Sequence, residues 1–184
     1  MKLSTSILIL ALLVIVAGGV WWIVSRPAPV LDTAVAPVAK SSQETVTYTI
    51  DGTPVTLING HAEVESAPGS ASKTITDYFG NAAAGDLNGD DIPDLVFILS
   101  QTTGGSGTFY YVVATLKLPD GPRGTNAILL GDRIAPQTTE IKNGEIIVNY
   151  ADRAPHDPMT AQPSVGVSKY LKVQNGLLVE TKHR

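Results

Sequence analysis

The sequence predicts an all-β domain, mainly an antiparallel meander forming a sandwich or barrel of about nine or ten strands, preceded by one N-terminal transmembrane helix. Three observations carry this expectation. Turn signals recur about every ten to fifteen residues from Thr45 onward. The segments between them are rich in β-branched and aromatic residues with a period of two, and none has a helical period of convincing length. Ahead of them, Ile7 to Val24 runs 18 residues without a charge.

The apolar run comes first. At ~1.5 Å per residue it spans about 27 Å as a helix, close to the ~30 Å hydrocarbon core of a bilayer. Lys2 precedes it, Arg26 follows it, and Trp21 and Trp22 lie at its far end, where indoles favour the membrane interface. A cleaved signal peptide is the competing reading. Ala34, Val35 and Ala36 supply small residues, but Pro37 follows them and they lie well beyond the apolar run. Residues 1–25 therefore read as an uncleaved signal anchor, with the rest of the chain on the periplasmic or extracellular side. Residues 26–44, rich in Pro, Ala and Ser, read as an extended linker.

The domain is expected over 45–181, with 182–184 as a tail. Thr45 to Ile50 is a β-branched strand closed by a turn at Asp51-Gly52. Val55 to Ile58 and His61 to Glu65 flank Asn59-Gly60, a strong hairpin signal. Lys73 to Phe79 is the next strand, and Ala82 to Gly85 leads into an acidic loop. Leu95 to Ser100 is almost wholly apolar and is expected in the centre of the fold, covered on both faces. The segment TTGGSG then turns the chain; no Gly-Lys-Ser/Thr follows it, so a phosphate cradle is not expected. Phe109 to Leu118 alternates, with Tyr110, Val112, Ala114, Leu116 and Leu118 on an inward face and Tyr111, Val113, Thr115 and Lys117 on a mixed one. Asp120-Gly121-Pro122 and Gly124 mark a turn before a strand over Asn126 to Leu130. Thr138 to Lys142 and Glu145 to Tyr150 meet at Asn143-Gly144, which sets Lys142 opposite Glu145 as a charge pair. Ala151 to Gly166 is the longest irregular stretch, and Val167 to Val173 and Leu177 to Glu180 form a last hairpin around Asn175-Gly176.

The chemistry concentrates in GDLNGDDIPDLVFIL, Gly85 to Leu99. Asp86, Asn88, Asp90 and Asp94 occupy loop positions 1, 3, 5 and 9, and Ile92 at position 7 would add its backbone carbonyl. Calcium takes six to eight oxygens of these kinds, and alternate positions of a tight loop can turn to one point. Gly89 allows the tight turn, and Asp91 stands where glycine is usual, in a left-handed conformation that aspartate tolerates. Position 12 is Phe97, where an EF-hand needs a bidentate glutamate, so the expected unit is strand, ion loop, strand. The same residues are turn formers, and an Asx-rich turn that binds nothing is the alternative. Within YFGNAAAGDLNGDDIPDLVF, Phe79-Gly80 and the Asp86-to-Asp90 segment resemble one FG-GAP repeat, the calcium-loop repeat of integrin-like propellers. No second copy follows in the sequence and a propeller needs several blades, so only the loop is carried over. The order GDLNGD, PDL, GGSGTFYY, LGDR and DPM is similar to a group of exported bacterial domains of no assigned activity. That likeness covers most of residues 45–180 and implies no mechanism.

Composition narrows the function classes. The chain of 184 residues has a net charge of −4, which gives no basic footprint for nucleic acid. It has no cysteine, which excludes disulfides, thiolate metal sites, cysteine nucleophiles and a lipid-modified N-terminal cysteine. From Thr45 onward there are ten basic and fifteen acidic side chains, a net −5 that one Ca2+ would take to −3. Two further elements carry residues suited to chemistry. His156-Asp157 in the long loop offers a base beside a carboxylate but no nucleophile, and Asp132-Arg133 reads first as a structural pair at a strand end. The leading expectation is a membrane-anchored binding or structural module of the cell envelope, stiffened by calcium and facing an unknown protein or glycan partner. An envelope hydrolase using the 151–166 loop and a calcium-responsive regulator are the alternatives; no catalytic set stands out.

Overall fold

The structure, a computed structural model, describes residues 45–182. The membrane helix expected over 7–24, the linker over 26–44 and His183 lie outside those residues. All regular structure described is strand, and none of it is a helix long and apolar enough to cross a membrane. The strands are β1 (Val46–Ile50), β2 (Thr53–Leu57), β3 (His61–Glu65), β4 (Lys73–Gly85), β5 (Asp94–Thr102) and β6 (Phe109–Leu118). They continue with β7 (Gly121–Gly124), β8 (Ile128–Asp132), β9 (Ala135–Lys142), β10 (Glu145–Asp152), β11 (Val165–Gln174) and β12 (Leu177–Glu180).

Every named pairing is antiparallel. A six-stranded sheet runs β3-β4-β5-β6-β7, with β8 also paired to β6; a four-stranded sheet runs β12-β11-β10-β9; β1 and β2 form a separate hairpin. The hairpins follow from the Asx-Gly dipeptides. Asp51-Gly52, Asn59-Gly60, Asn143-Gly144 and Asn175-Gly176 all have positive φ at both residues, the geometry that matches the twist of two-residue hairpins.

The count of twelve strands exceeds the nine or ten expected. The segment expected as a turn at Gly121 to Gly124 is instead a short strand on β6, with Leu118 opposite Gly121. Gly124 suits that place, because a Cβ there would meet the Thr47 carbonyl oxygen at 2.3 Å. Lys73 to Phe79 and Ala82 to Gly85 are one strand of 13 residues, bent by register shifts around Gly80. The strand expected over Asn126 to Leu130 is displaced to Ile128–Asp132, because Thr125 and Ala127 spend their amides on Ala114 and Thr49. Strand β9 begins three residues earlier than expected and tolerates Pro136 because it is a sheet edge.

Two apolar clusters share the central sheet. On one face Val96, Ile98, Val112 and Ala114 pack against Ile146, Val148 and Leu171 of the four-stranded sheet. On the other, Phe97, Leu99, Tyr111 and Val113 pack under Tyr48, Ile50, Val55 and Leu57 of the β1–β2 hairpin. Strand β5 is therefore covered on both faces, as its unbroken apolar run requires. The mixed face of β6 is buried at Tyr111 and Val113, where the hairpin lies, and open at Lys117. Its other face is less uniformly inward than expected, since Tyr110 and Leu118 are half-buried.

Candidate metal centre

The Asp86-to-Asp94 loop joins β4 to β5 and is fastened at both ends. Leu87 places its side chain in the core between the two larger sheets. Asp94, the first residue of β5, is 1% exposed. Its Oδ2 accepts the Leu87 amide at 3.0 Å and its Oδ1 the Lys117 amide of β6 at 2.9 Å. Burial holds the Asp94 carboxyl above the ordinary carboxylate range, and the charges of Asp90 and Asp86 push the same way.

Between those anchors the chain makes successive Asx turns. The amides of Asn88, Asp90 and Ile92 donate to Asp86 Oδ1 (3.1 Å), Asn88 Oδ1 (3.0 Å) and Asp90 Oδ1 (2.8 Å). Asp86 Oδ1 also accepts from Gly89 at 2.7 Å and Asp90 at 3.3 Å, and Oδ2 from Asp91 at 3.1 Å. These N–H groups, that of Gly89 foremost, hold Asp86 below the usual carboxylate range. Gly89 and Asp91 have φ of 83° and 63°, the left-handed conformation that positions 4 and 6 require.

The donors fit calcium in kind: all are hard oxygens. A carboxylate offers about four lone-pair sites, so Asp86 Oδ2, Asp90 and Asp94 each retain acceptor capacity beyond their N–H partners. Their placement is a separate matter. Among the described residues no group of three or more His, Asp or Glu side chains is already gathered as a metal cage. Asn88 Nδ2 donates to Asp90 Oδ2 at 2.9 Å, a bond that a cation between the two would replace. Ile92 is on the surface, 41% exposed, with its carbonyl ahead of Pro93. A cleft of about 350 Å3 adjoins the loop, floored by Leu116, Leu118 and Val173 and rimmed by Asn88, Arg123 and Asn175.

The other sequence candidates separate. The irregular stretch expected over Ala151 to Gly166 narrows to 153–164, because Asp152 pairs with Val165 and extends the β10–β11 ladder. Asp157 Oδ2 turns back to accept the Ala154 amide at 3.2 Å, while His156 is exposed at φ 76°. Asp132 and Arg133 form an ion pair at 3.2 Å inside a structural knot. Asp132 Oδ1 accepts the Thr108 amide, and the Arg153 guanidinium donates to the carbonyls of Asp132 and Arg133. Lys142 and Glu145 are opposite in register, but the Lys142 ammonium pairs with Glu140 at 2.5 Å and Glu145 accepts from the Thr181 hydroxyl.

Sequence reasoning missed two features. Leu87 has no role in the sequence reading, yet its burial pins the loop. Asn126 clamps the sheets together: its Oδ1 accepts the Leu178 amide at 2.7 Å and its Nδ2 donates to the Leu178 carbonyl at 3.1 Å. A single asparagine before a strand carries no signal of such a role. Comparison with protein-family models, with curated proteins and with solved structures finds no match to this chain.

Proposed function

We propose that this chain is a membrane-anchored binding or structural module of the cell envelope, held by residues 7–24, with a structural calcium site in the Asp86-to-Asp94 loop. In this reading Asp86, Asn88, Asp90, Asp94 and the Ile92 carbonyl hold the ion, and the layers form an antiparallel sandwich that presents loops to a protein or glycan. The observation that carries the reading is the state of Asp94. A buried carboxylate, raised in pKa and sharing a loop with Asp86 and Asp90, is charge that a divalent cation would compensate. The resemblance of the loop to an FG-GAP repeat supports the same ion, and the adjoining cleft supports a binding role. The ion is structural here, because the loop ties two core strands and offers no poised base.

The test is a thermal melt of the full chain in EDTA and in millimolar calcium, repeated with Asp86→Ala and Asp90→Ala. An affinity near 10 µM with calcium near 1 mM would stabilise the fold by about 2.7 kcal/mol. A rise of several degrees, lost in both variants, is expected. Equal melting in EDTA and calcium would leave the loop as an Asx-rich turn. A change of overall shape on loading, rather than later melting alone, would favour a regulator.

A further inference from the structure

Strand β3 ends the six-stranded sheet, so one of its edges has no strand neighbour. The Asn59-Gly60 hairpin explains why that edge stays open. Ile58 and His61 exchange both backbone hydrogen bonds, at 2.9 and 3.1 Å, and then the two strands part. Strand β2 rises to cover the sheet while β3 stays within it. The opening between them is a cleft of about 530 Å3, lined by Pro54, Thr56, Ile58, Ala62, Glu63 and Val64.

The backbone polarity of that edge follows from alternation. Gly60 accepts inward from Tyr78, and His61 bonds outward to Ile58. The amides and carbonyls of Glu63 and Glu65 therefore point outward, away from β4. The side chains sort by face in the same way. Ala62 and Val64 lie on the hairpin face, where Ile58 is 60% and Val64 54% exposed. Glu63 and Glu65 lie on the opposite face, with Lys73 paired to Glu63 and Asp77 to His61.

We propose that the β3 edge and the β2–β3 cleft receive an extended peptide segment of a partner protein, added as a further strand. Its alternate residues are aliphatic on the hairpin face and basic on the other. Main-chain hydrogen bonds to Glu63 and Glu65 supply affinity, and the two faces supply selectivity. A second copy of this chain is a poor occupant, because antiparallel self-pairing about Glu63 sets like charges opposite each other. This names a partner for the binding module and rests on that reading, but not on the ion. Binding is read here and melting in the calcium test, so the two fail separately.

The probe is a seven-residue blocked peptide alternating lysine and valine, titrated into the 15N-labelled full chain, beside a peptide of equal composition with all lysines first. Shifts confined to amides of 53–65, with at least about tenfold weaker binding of the reordered peptide, are expected. Glu63→Pro removes one outward donor without touching the β4 ladder, and a loss of about tenfold is expected from that one backbone hydrogen bond. Glu63→Lys with Glu65→Lys should transfer preference to a peptide alternating glutamate and valine. Melting curves of the variants check folding. Equal binding of both peptides, shifts elsewhere, or undiminished binding to Glu63→Pro would overturn strand addition. Self-association abolished by Glu63→Pro would overturn it in favour of a second copy.

Discussion

Phe97 and Ile98 are neighbours on β5 that face different layers, and truncating each in turn tests whether those layers separate. Phe97 is 2% exposed, with Tyr48 edge-on at 5.8 Å and Tyr78 tilted at 5.1 Å. Ile98 is fully buried against the four-stranded sheet. Phe97→Ala should cost about 3–5 kcal/mol and Ile98→Ala about 2–5 kcal/mol by urea denaturation. The totals overlap, so the distribution carries the test. The β1–β2 hairpin is its own two-stranded sheet. Besides packing, it is tied down by Tyr48–Thr115, Tyr111–Asp51, the Thr49 bonds to 125 and 127, and the Ile58–His61 pair. Such a unit can detach below the global unfolding energy. Detachment breaks the Phe97 contacts and leaves those of Ile98 intact. With native-state hydrogen exchange, Phe97→Ala should speed hairpin amides by about three decades, at ~1.4 kcal/mol per decade. Ile98→Ala should leave them nearly unchanged while accelerating β10 and β11. Equal acceleration of the hairpin by both variants would refute the separable layer, and a Phe97→Ala cost under about 1 kcal/mol would refute its packing.

Asp94→Asn in EDTA should cost about 1–3 kcal/mol in urea, since an amide can accept only one of the two N–H groups that the carboxylate now satisfies. The exposed Asp90→Asn should stay within about 0.5 kcal/mol in EDTA, so that its effect appears only with calcium. Asn126→Ala strands the Leu178 amide and carbonyl and should cost about 1–3 kcal/mol, with the exchange of β12 amides rising most. At alkaline pH, burial pushes the Tyr48 phenol up to about 12, and burial also raises Tyr111, Tyr78 and Tyr150. A raised pKa means the neutral phenol is favoured in the folded state, so its stability is present below pH ~10 and lost as pH climbs toward 12. Urea titrations at stepped pH should show that loss, and Tyr48→Phe should reduce its slope at a cost of about 1 kcal/mol for the Thr115 hydrogen bond.

The parts of the fold legible in the sequence were those fixed by short-range chemistry. Asp51-Gly52, Asn143-Gly144 and Asn175-Gly176 each dictate a left-handed pair, and the strands on either side fall into register around them. The apolar run after Pro93 declared a strand covered twice, and it is. What stayed hidden depends on contacts between residues distant in the chain. Gly121 to Gly124 has the composition of a turn, and only the backbone of β1 pressed against Gly124 explains its use as a strand. Asn59-Gly60 gave the correct turn but not the parting of β2 from β3, because that is decided by which apolar face each strand covers. At the loop, spacing identified the oxygen-bearing residues and the two left-handed positions. It could not say where the lone pairs point, because amides two to five residues further on compete with any ion for Asp86.

The same competition accounts for the way the loop is built. Asp86 and Asp90 are stabilised by N–H groups of the loop itself, and these depend on Gly89 and Asp91 holding positive φ. Asp94 differs, because its partners are Leu87 at the far end of the loop and Lys117 on the next strand. One buried carboxylate thus fastens the loop that follows β4 to β5 and β6. Its ionised form costs desolvation, which its raised pKa records, and the two amides only partly offset it. If a cation shared that charge, as proposed, the desolvation cost would fall and the same two amide bonds would hold more firmly. That asymmetry is the physical reason to expect ion-dependent stability at Asp94, rather than from the acidity of the loop as such.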